Sequence, residues 1–143
     1  MNERLKNLYK TQILTYAKDS THEGELADAT HVLEAYNPMC GDKYTVYLLV
    51  KKSTVIDAKF KGYGCAISKA STAILVEKII GKELSEVQTL VTLFLQVINE
   101  QSSQQPEALT SDEALLAFAA TREFPERKKC ASLSWEAVRN MNL

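Results

Sequence analysis

Tyr44-Thr45-Val46-Tyr47-Leu48-Leu49-Val50, then Lys51-Lys52-Ser53, then Thr54-Val55-Ile56-Asp57-Ala58-Lys59-Phe60-Lys61 has the pattern of two strands and a turn. Its first seven residues are β-branched, aromatic or leucine, the composition of a strand. Its last eight alternate, with Ile56, Ala58 and Phe60 against Asp57, Lys59 and Lys61, which predicts one wet face and one face covered by helices. The short polar connector suits an antiparallel hairpin.

Outward from the hairpin, Thr30 to Tyr36 reads as a third short strand, preceded by a polar, acidic loop from Thr21 to Ala29. Leu5, Leu8, Tyr9, Ile13, Tyr16 and Ala17 recur at helical spacing, so the chain begins with an amphipathic helix ending near Asp19 or Ser20. After Cys65, Ile67, Ala70, Ile74 and Val76 to Ile80 predict a buried helix closed by Gly81, and Leu84, Val87, Val91, Phe94 and Ile98 a second one. Ser111 is placed to cap a further helix running to about Ala120, with Asp112 and Glu113 in its first turn. Pro125 marks a junction before a last helix carrying Cys130, Leu133, Ala137 and Met141. The expected architecture is α+β: a small three-stranded antiparallel sheet packed with about five helices, as one domain over residues 1–143.

Composition narrows the function. A chain of 143 residues, 45% hydrophobic and with a net charge of -1, has the means for one core. Lysines are interspersed with acids throughout, so no basic face is provided for nucleic acid, and Arg127-Lys128-Lys129 is too short to change that. Apolar runs such as Leu115 to Ala120 fall far short of a membrane span, and no signal-like segment follows Met1. An odd number of cysteines gives no complete disulfide framework, and a reducing cytoplasm is the expected compartment.

The chemistry points to those three cysteines. Cys40 lies two residues from Asp42 across Gly41, Cys65 follows Gly62-Tyr63-Gly64 at a helix start, and Cys130 follows Arg127-Lys128-Lys129 at another. Three sulfurs and a carboxylate are a sufficient donor set for zinc or iron. Free cysteines also serve as small buried hydrophobes, but helix starts and glycine turns are where side chains converge on a surface site and where the helix dipole favours thiolate. Lys43, Arg127, Lys128 and Lys129 are the cations expected to offset the charge of such a site. His22 and His31 read as surface or strand histidines, and Trp135 and Tyr63 as packing or partner-facing aromatics.

Three segments carry a resemblance: Asn37-Pro38-Met39-Cys40-Gly41-Asp42-Lys43; Gly62-Tyr63-Gly64-Cys65-Ala66-Ile67-Ser68 followed by Ala70-Ser71; and Arg127-Lys128-Lys129-Cys130-Ala131-Ser132-Leu133 with Trp135. In this order they resemble the U-type iron–sulfur cluster assembly family, represented by IscU, the N-terminal domain of NifU, and SufU. Lys129 where IscU-like members carry histidine, and the helical insertion between Cys65 and Cys130, resemble SufU. Met39 stands where a threonine is usual and Lys43 where an arginine is common. The resemblance implies a SufE/NifU-like fold and a zinc ion held by Cys40, Asp42, Cys65 and Cys130. It also implies Cys40 as acceptor of persulfide sulfur from a SufS-like cysteine desulfurase, with Arg127 supporting, and delivery to a downstream cluster scaffold or apo-protein acceptors. On that reading the chain is a sulfurtransferase. The alternative is a non-enzymatic scaffold on which Cys40, Cys65 and Cys130 hold a transient [2Fe–2S] cluster, and a third reading makes the metal purely structural.

Overall fold

Alternation along β2 (Asp42–Lys51) turns Tyr44, Val46 and Leu48 toward the helices and leaves Lys43 and Thr45 on the opposite face. β1 (His31–Asn37) and β3 (Thr54–Tyr63) flank it, both antiparallel, in the order β1-β2-β3. The register stacks Leu33, Val46 and Phe60 in one inward row and Ala35, Tyr44 and Gly62 in the next. The last inward pair is Asn37 opposite Asp42, both buried. Two polar residues thus stand at the end of the apolar rows. The computed structural model describes residues 2–141; Met1, Asn142 and Leu143, at the limits of the expected 1–143 domain, lie outside them.

The hairpin differs from its sequence reading in one respect. A register irregularity at Leu49/Val50 pairs Leu49 with Asp57 but Val50 with Val55, so Ile56 has no partner in the register. Such a bulge reverses the inside–outside alternation. Val55 is therefore fully buried while Ile56 is 47% exposed, and Ile56 does not share the covered face with Ala58 and Phe60. Lys52 and Ser53 both take positive φ, as a two-residue hairpin loop of this hand requires. The loop is held from outside: Leu84 N–H donates to the Ser53 carbonyl at 2.8 Å and Gly81 N–H to the Val55 carbonyl at 2.7 Å.

Six helices are present among the described residues: α1 (Glu3–Ala17), α2 (Ala66–Ile79), α3 (Leu84–Val97), the short α4 (Pro106–Leu109) and α5 (Glu113–Leu116), and α6 (Lys128–Arg139). The helix expected from Ser111 to Ala120 is α-helical only to Leu116 and tightens into 3-10 turns over Ala117–Glu123. Its cap is Asp112, not Ser111, because the Asp112 carboxylate accepts from the amides of Ala114 and Leu115.

α2 is buried nearly all round and lies centrally, between α1 and α6 and against β3. A polar seam fixes α6 on it: Thr72 and Ser134 hydroxyls meet at 2.7 Å, Ser71 Oγ donates to the Ala131 carbonyl, and Trp135 Nε1 donates to Ser71 Oγ at 2.9 Å. Trp135 is fully buried and stacks on Phe94 of α3 with centroids 4.0 Å apart, so it is packing and faces no partner. This seam brings the N-terminal ends of α2 and α6 to the end of the sheet where Asp42 stands. No helix among the described residues is long and apolar enough to cross a membrane.

Candidate metal centre

The turn from β1 into β2 is built on Asn37. Its carbonyl accepts the amides of Cys40 at 3.3 Å and Gly41 at 2.8 Å, and its side-chain Oδ1 accepts that of Met39 at 3.2 Å. Gly41 occupies the left-handed region with φ +76°, which lets the chain reverse directly after Cys40. Cys40 is left exposed on the turn, beside Met39 at 90% exposure, while Asp42 enters the inward row of β2 and is only 1% exposed.

Asp42 is held from the neighbouring segment. Its Oδ1 accepts the Cys65 amide at 3.0 Å, and its Oδ2 is buried with no hydrogen-bond partner among the described residues. A buried carboxylate oxygen without a donor is costly unless a cation completes it. Gly64 makes the approach possible: a Cβ there would lie 2.5 Å from Asp42 Oδ1, 2.4 Å from Ser68 Oγ and 2.7 Å from the Tyr44 hydroxyl. Tyr44 and Ser68 hydroxyls meet at 2.9 Å and wall the base of this cradle.

Cys40 Sγ, an Asp42 carboxylate oxygen and Cys130 Sγ lie within 4.8 Å of one another, a spacing that one ion can bridge. The structure thus gathers Cys40, Asp42 and Cys130 from two remote segments. Cys65 stands at the edge of this trio. It is the N-cap of α2, where Sγ accepts from the Ser68 amide at 3.5 Å, and it lies near enough to Cys130 to help raise the pKa of that thiol. Three of the expected four donors are thus clustered, and the fourth borders them.

The charge distribution corrects two expectations. Cys130, at the third position of α6, was expected to be favoured as thiolate by the helix dipole. Its pKa is instead pushed well up, first by burial and then by the neighbouring Cys65 and Asp42, because desolvation and like charge outweigh a dipole end. Of the four cations expected to neutralise the site, only Arg127 turns to it, lining a groove with Cys65, and the sulfurs, Cys130 first, hold its guanidinium even more firmly protonated. Lys128 pairs with Glu100 at 3.3 Å and Lys129 with Glu136 at 2.9 Å. Lys43 lies on the outer sheet face, as strand alternation demands. His22 and His31 are half-buried residues outside the cluster.

Two contributors were not legible in the sequence as site residues. Ser68 follows Cys65 by three positions, a capping spacing that could have marked it. Tyr9 of α1 lies beside the site with its phenol pKa raised by burial and lowered by the Arg127 charge, and nothing in its helical pattern distinguishes it from a core position.

The architecture is that of a known class. The crystal structure of SufU from Fervidobacterium islandicum AW-1 superposes with a TM-score of 0.82 at 31% identity, covering 92% of this chain and 94% of that one. The NifU-like N-terminal structure from Brucella abortus, 24% identical with a TM-score of 0.79, shares the fold. The chain belongs to the NifU-like N terminal domain family, whose profile matches residues 8–137. It is 35% identical over 138 residues to the iron-sulfur cluster assembly scaffold protein IscU of Thermotoga maritima, covering 94% of this chain and 92% of that protein. It is 33% identical over 137 residues to the zinc-dependent sulfurtransferase SufU of Bacillus subtilis, covering 96% and 90%.

Proposed function

We propose that this iron–sulfur cluster assembly protein accepts persulfide sulfur on Cys40 at a zinc centre whose ligands are Cys40, Asp42, Cys65 and Cys130. One observation carries the reading: a single exposed sulfur, Cys40, stands on a glycine turn over two buried donors, Asp42 and Cys130. The orphaned Asp42 Oδ2 fits a cation. Zinc, when bound, would keep the thiolates deprotonated and tie the three segments together. The naming of a Bacillus subtilis relative as a zinc-dependent sulfurtransferase supports the same reading.

The step required of Cys40 is thiol exchange. Its thiolate attacks the outer sulfur of a persulfide on a cysteine desulfurase of the SufS type. The donor's S–S bond breaks, a new S–S bond forms on Cys40 Sγ, and the donor cysteine leaves as thiolate, with no net oxidation. Arg127, whose guanidinium is held protonated by the nearby sulfurs, offsets the negative charge that the thiolates and the persulfide carry. The exposed turn gives the donor access, and a cytoplasmic site of action fits a free-thiol protein.

Metal analysis of protein purified without added iron, combined with labelled sulfur traced from a desulfurase, tests this. Stoichiometric zinc and label on Cys40 are expected, and Cys40→Ser should take up no label. A Cys40→Ser protein that keeps full zinc and full stimulation of the desulfurase would sink the acceptor role and leave only a structural metal. The second reading, a scaffold for a transient [2Fe–2S] cluster on Cys40, Cys65 and Cys130, is favoured by the same donor set and by the IscU name of the Thermotoga maritima relative. Cluster absorption after anaerobic loading with iron and sulfide, lost in Cys65→Ser, distinguishes it.

A further inference from the structure

At the Cys65 edge of the cysteine cluster runs a groove of about 330 Å³ lined by Tyr9, Ile13, Cys65, Ala66, Ile67 and Arg127. That volume is at the small end of small-molecule sites. Ile13, Ala66 and Ile67 make one wall apolar; the polar groups are a phenol, a guanidinium and the Cys65 sulfur, and no carboxylate lines it. Arg127, on the groove wall, offers five N–H donors in a planar fork, the geometry that suits a bidentate carboxylate. A cation and a hydroxyl above an apolar wall, opening on a sulfur site, recognise a short carbon chain with a carboxylate at one end and sulfur chemistry at the other.

We propose that this groove is the subsite for a small carboxylate-bearing thiol that removes the sulfur loaded on Cys40. The inference rests on the acceptor reading above and names what takes the sulfur next. The carboxylate meets Arg127 and the Tyr9 hydroxyl, and the methylene carbons lie on Ile13 and Ile67. The thiol gives its proton to solvent and its thiolate attacks the outer sulfur of the Cys40 persulfide. A new S–S bond forms on the small thiol, the bond from Cys40 Sγ to the outer sulfur breaks, and the electron pair stays on Cys40 as thiolate. The products are free Cys40 and a small-molecule persulfide, with no oxidant or reductant consumed.

The test uses the zinc-loaded full chain carrying labelled sulfur on Cys40, mixed with mercaptopropionate, mercaptoethanol or cysteamine, with rates normalised to thiolate concentration. Mercaptopropionate should saturate and, at low concentration, exceed the other two by about tenfold, the value of one charge-assisted hydrogen bond. Arg127→Gln should erase that advantage and Tyr9→Phe reduce it. Linear kinetics with no advantage for the carboxylate thiol, or an advantage that survives Arg127→Gln, overturns the proposal. A peptide with an internal cysteine should behave like mercaptoethanol; if it saturates instead, the occupant is a protein segment and the proposal also falls. If no label ever reaches Cys40, it is the acceptor reading that fails. The groove is then decided by titrating propionate into the zinc-loaded protein: saturable NMR shifts at the Tyr9 ring and Ile13 methyls support it, and their absence refutes it.

Discussion

The Cys65 amide donates to Asp42 Oδ1 at 3.0 Å while the other oxygen of the same carboxylate is buried without a donor among the described residues. The protein scaffold fixes one half of Asp42 and reserves the other. This relationship separates the metal's contribution from the fold's.

Asp42→Asn keeps an acceptor for the Cys65 amide and removes the charge. In the chelated protein the substitution removes a buried carboxylate charge that no cation offsets, so it should raise the melting temperature by about 2–4 °C, corresponding to ~1 kcal/mol. With zinc the sign reverses: loss of a buried charge partner of the cation should weaken affinity by about 100-fold or more. Thermal melts with and without chelator, alongside a zinc competition titration, check both. An unchanged affinity would remove Asp42 from the ligand set.

Gly64→Ala places a carbon 2.4 Å from Ser68 Oγ and 2.5 Å from Asp42 Oδ1. The φ of Gly64 lies outside the left-handed region, so the effect is steric and not one of backbone strain. Overpacking should cost about 1–3 kcal/mol, read by urea denaturation. Because the displaced atoms belong to the cradle, zinc should also dissociate faster from this variant, and a variant with wild-type zinc release would contradict that coupling.

The buried Cys130 thiol makes the metal-free protein sensitive to alkali. Its folded-state pKa is raised above the unfolded value, so its contribution to stability is fully present below the ordinary cysteine pKa of about 8.5 and is lost as pH rises above it. Chelated protein should therefore melt at progressively lower temperature above about pH 8.5, and Cys130→Ala should flatten that decline. Zinc affinity should change in the opposite direction, rising with pH as the competing protons leave.

Trp135→Phe tests the seam that carries Cys130. The substitution removes the donor to Ser71, whose hydroxyl itself bonds the Ala131 carbonyl one residue after Cys130. Loss of one buried hydrogen bond and part of the stack on Phe94 should cost about 1–3 kcal/mol by urea denaturation. A loss confined to global stability, with zinc affinity untouched, would show that the seam does not govern the site.

Much of the fold was legible because burial on one side imposes a period on the chain. The strands around Val46 and Phe60 and the helices through Ile74 and Phe94 follow from spacing alone. Ile56 was misplaced because a bulge leaves no local signature. Asp112 took the cap from its neighbour Ser111 because both residue types can cap and only the backbone path chooses between them.

What the chain determined by itself is the kind of chemistry: three sulfurs and an aspartate at turns and helix starts, within motifs of the NifU-like family. Residue type is a local property and survives reading one position at a time. Tertiary structure alone decided which sulfur is exposed, which cation stands beside the buried ones, and that Tyr9 from the first helix borders the site. Those outcomes depend on desolvation and charge between segments that meet only when the α2–α6 seam closes over the sheet, and no spacing along the sequence encodes them.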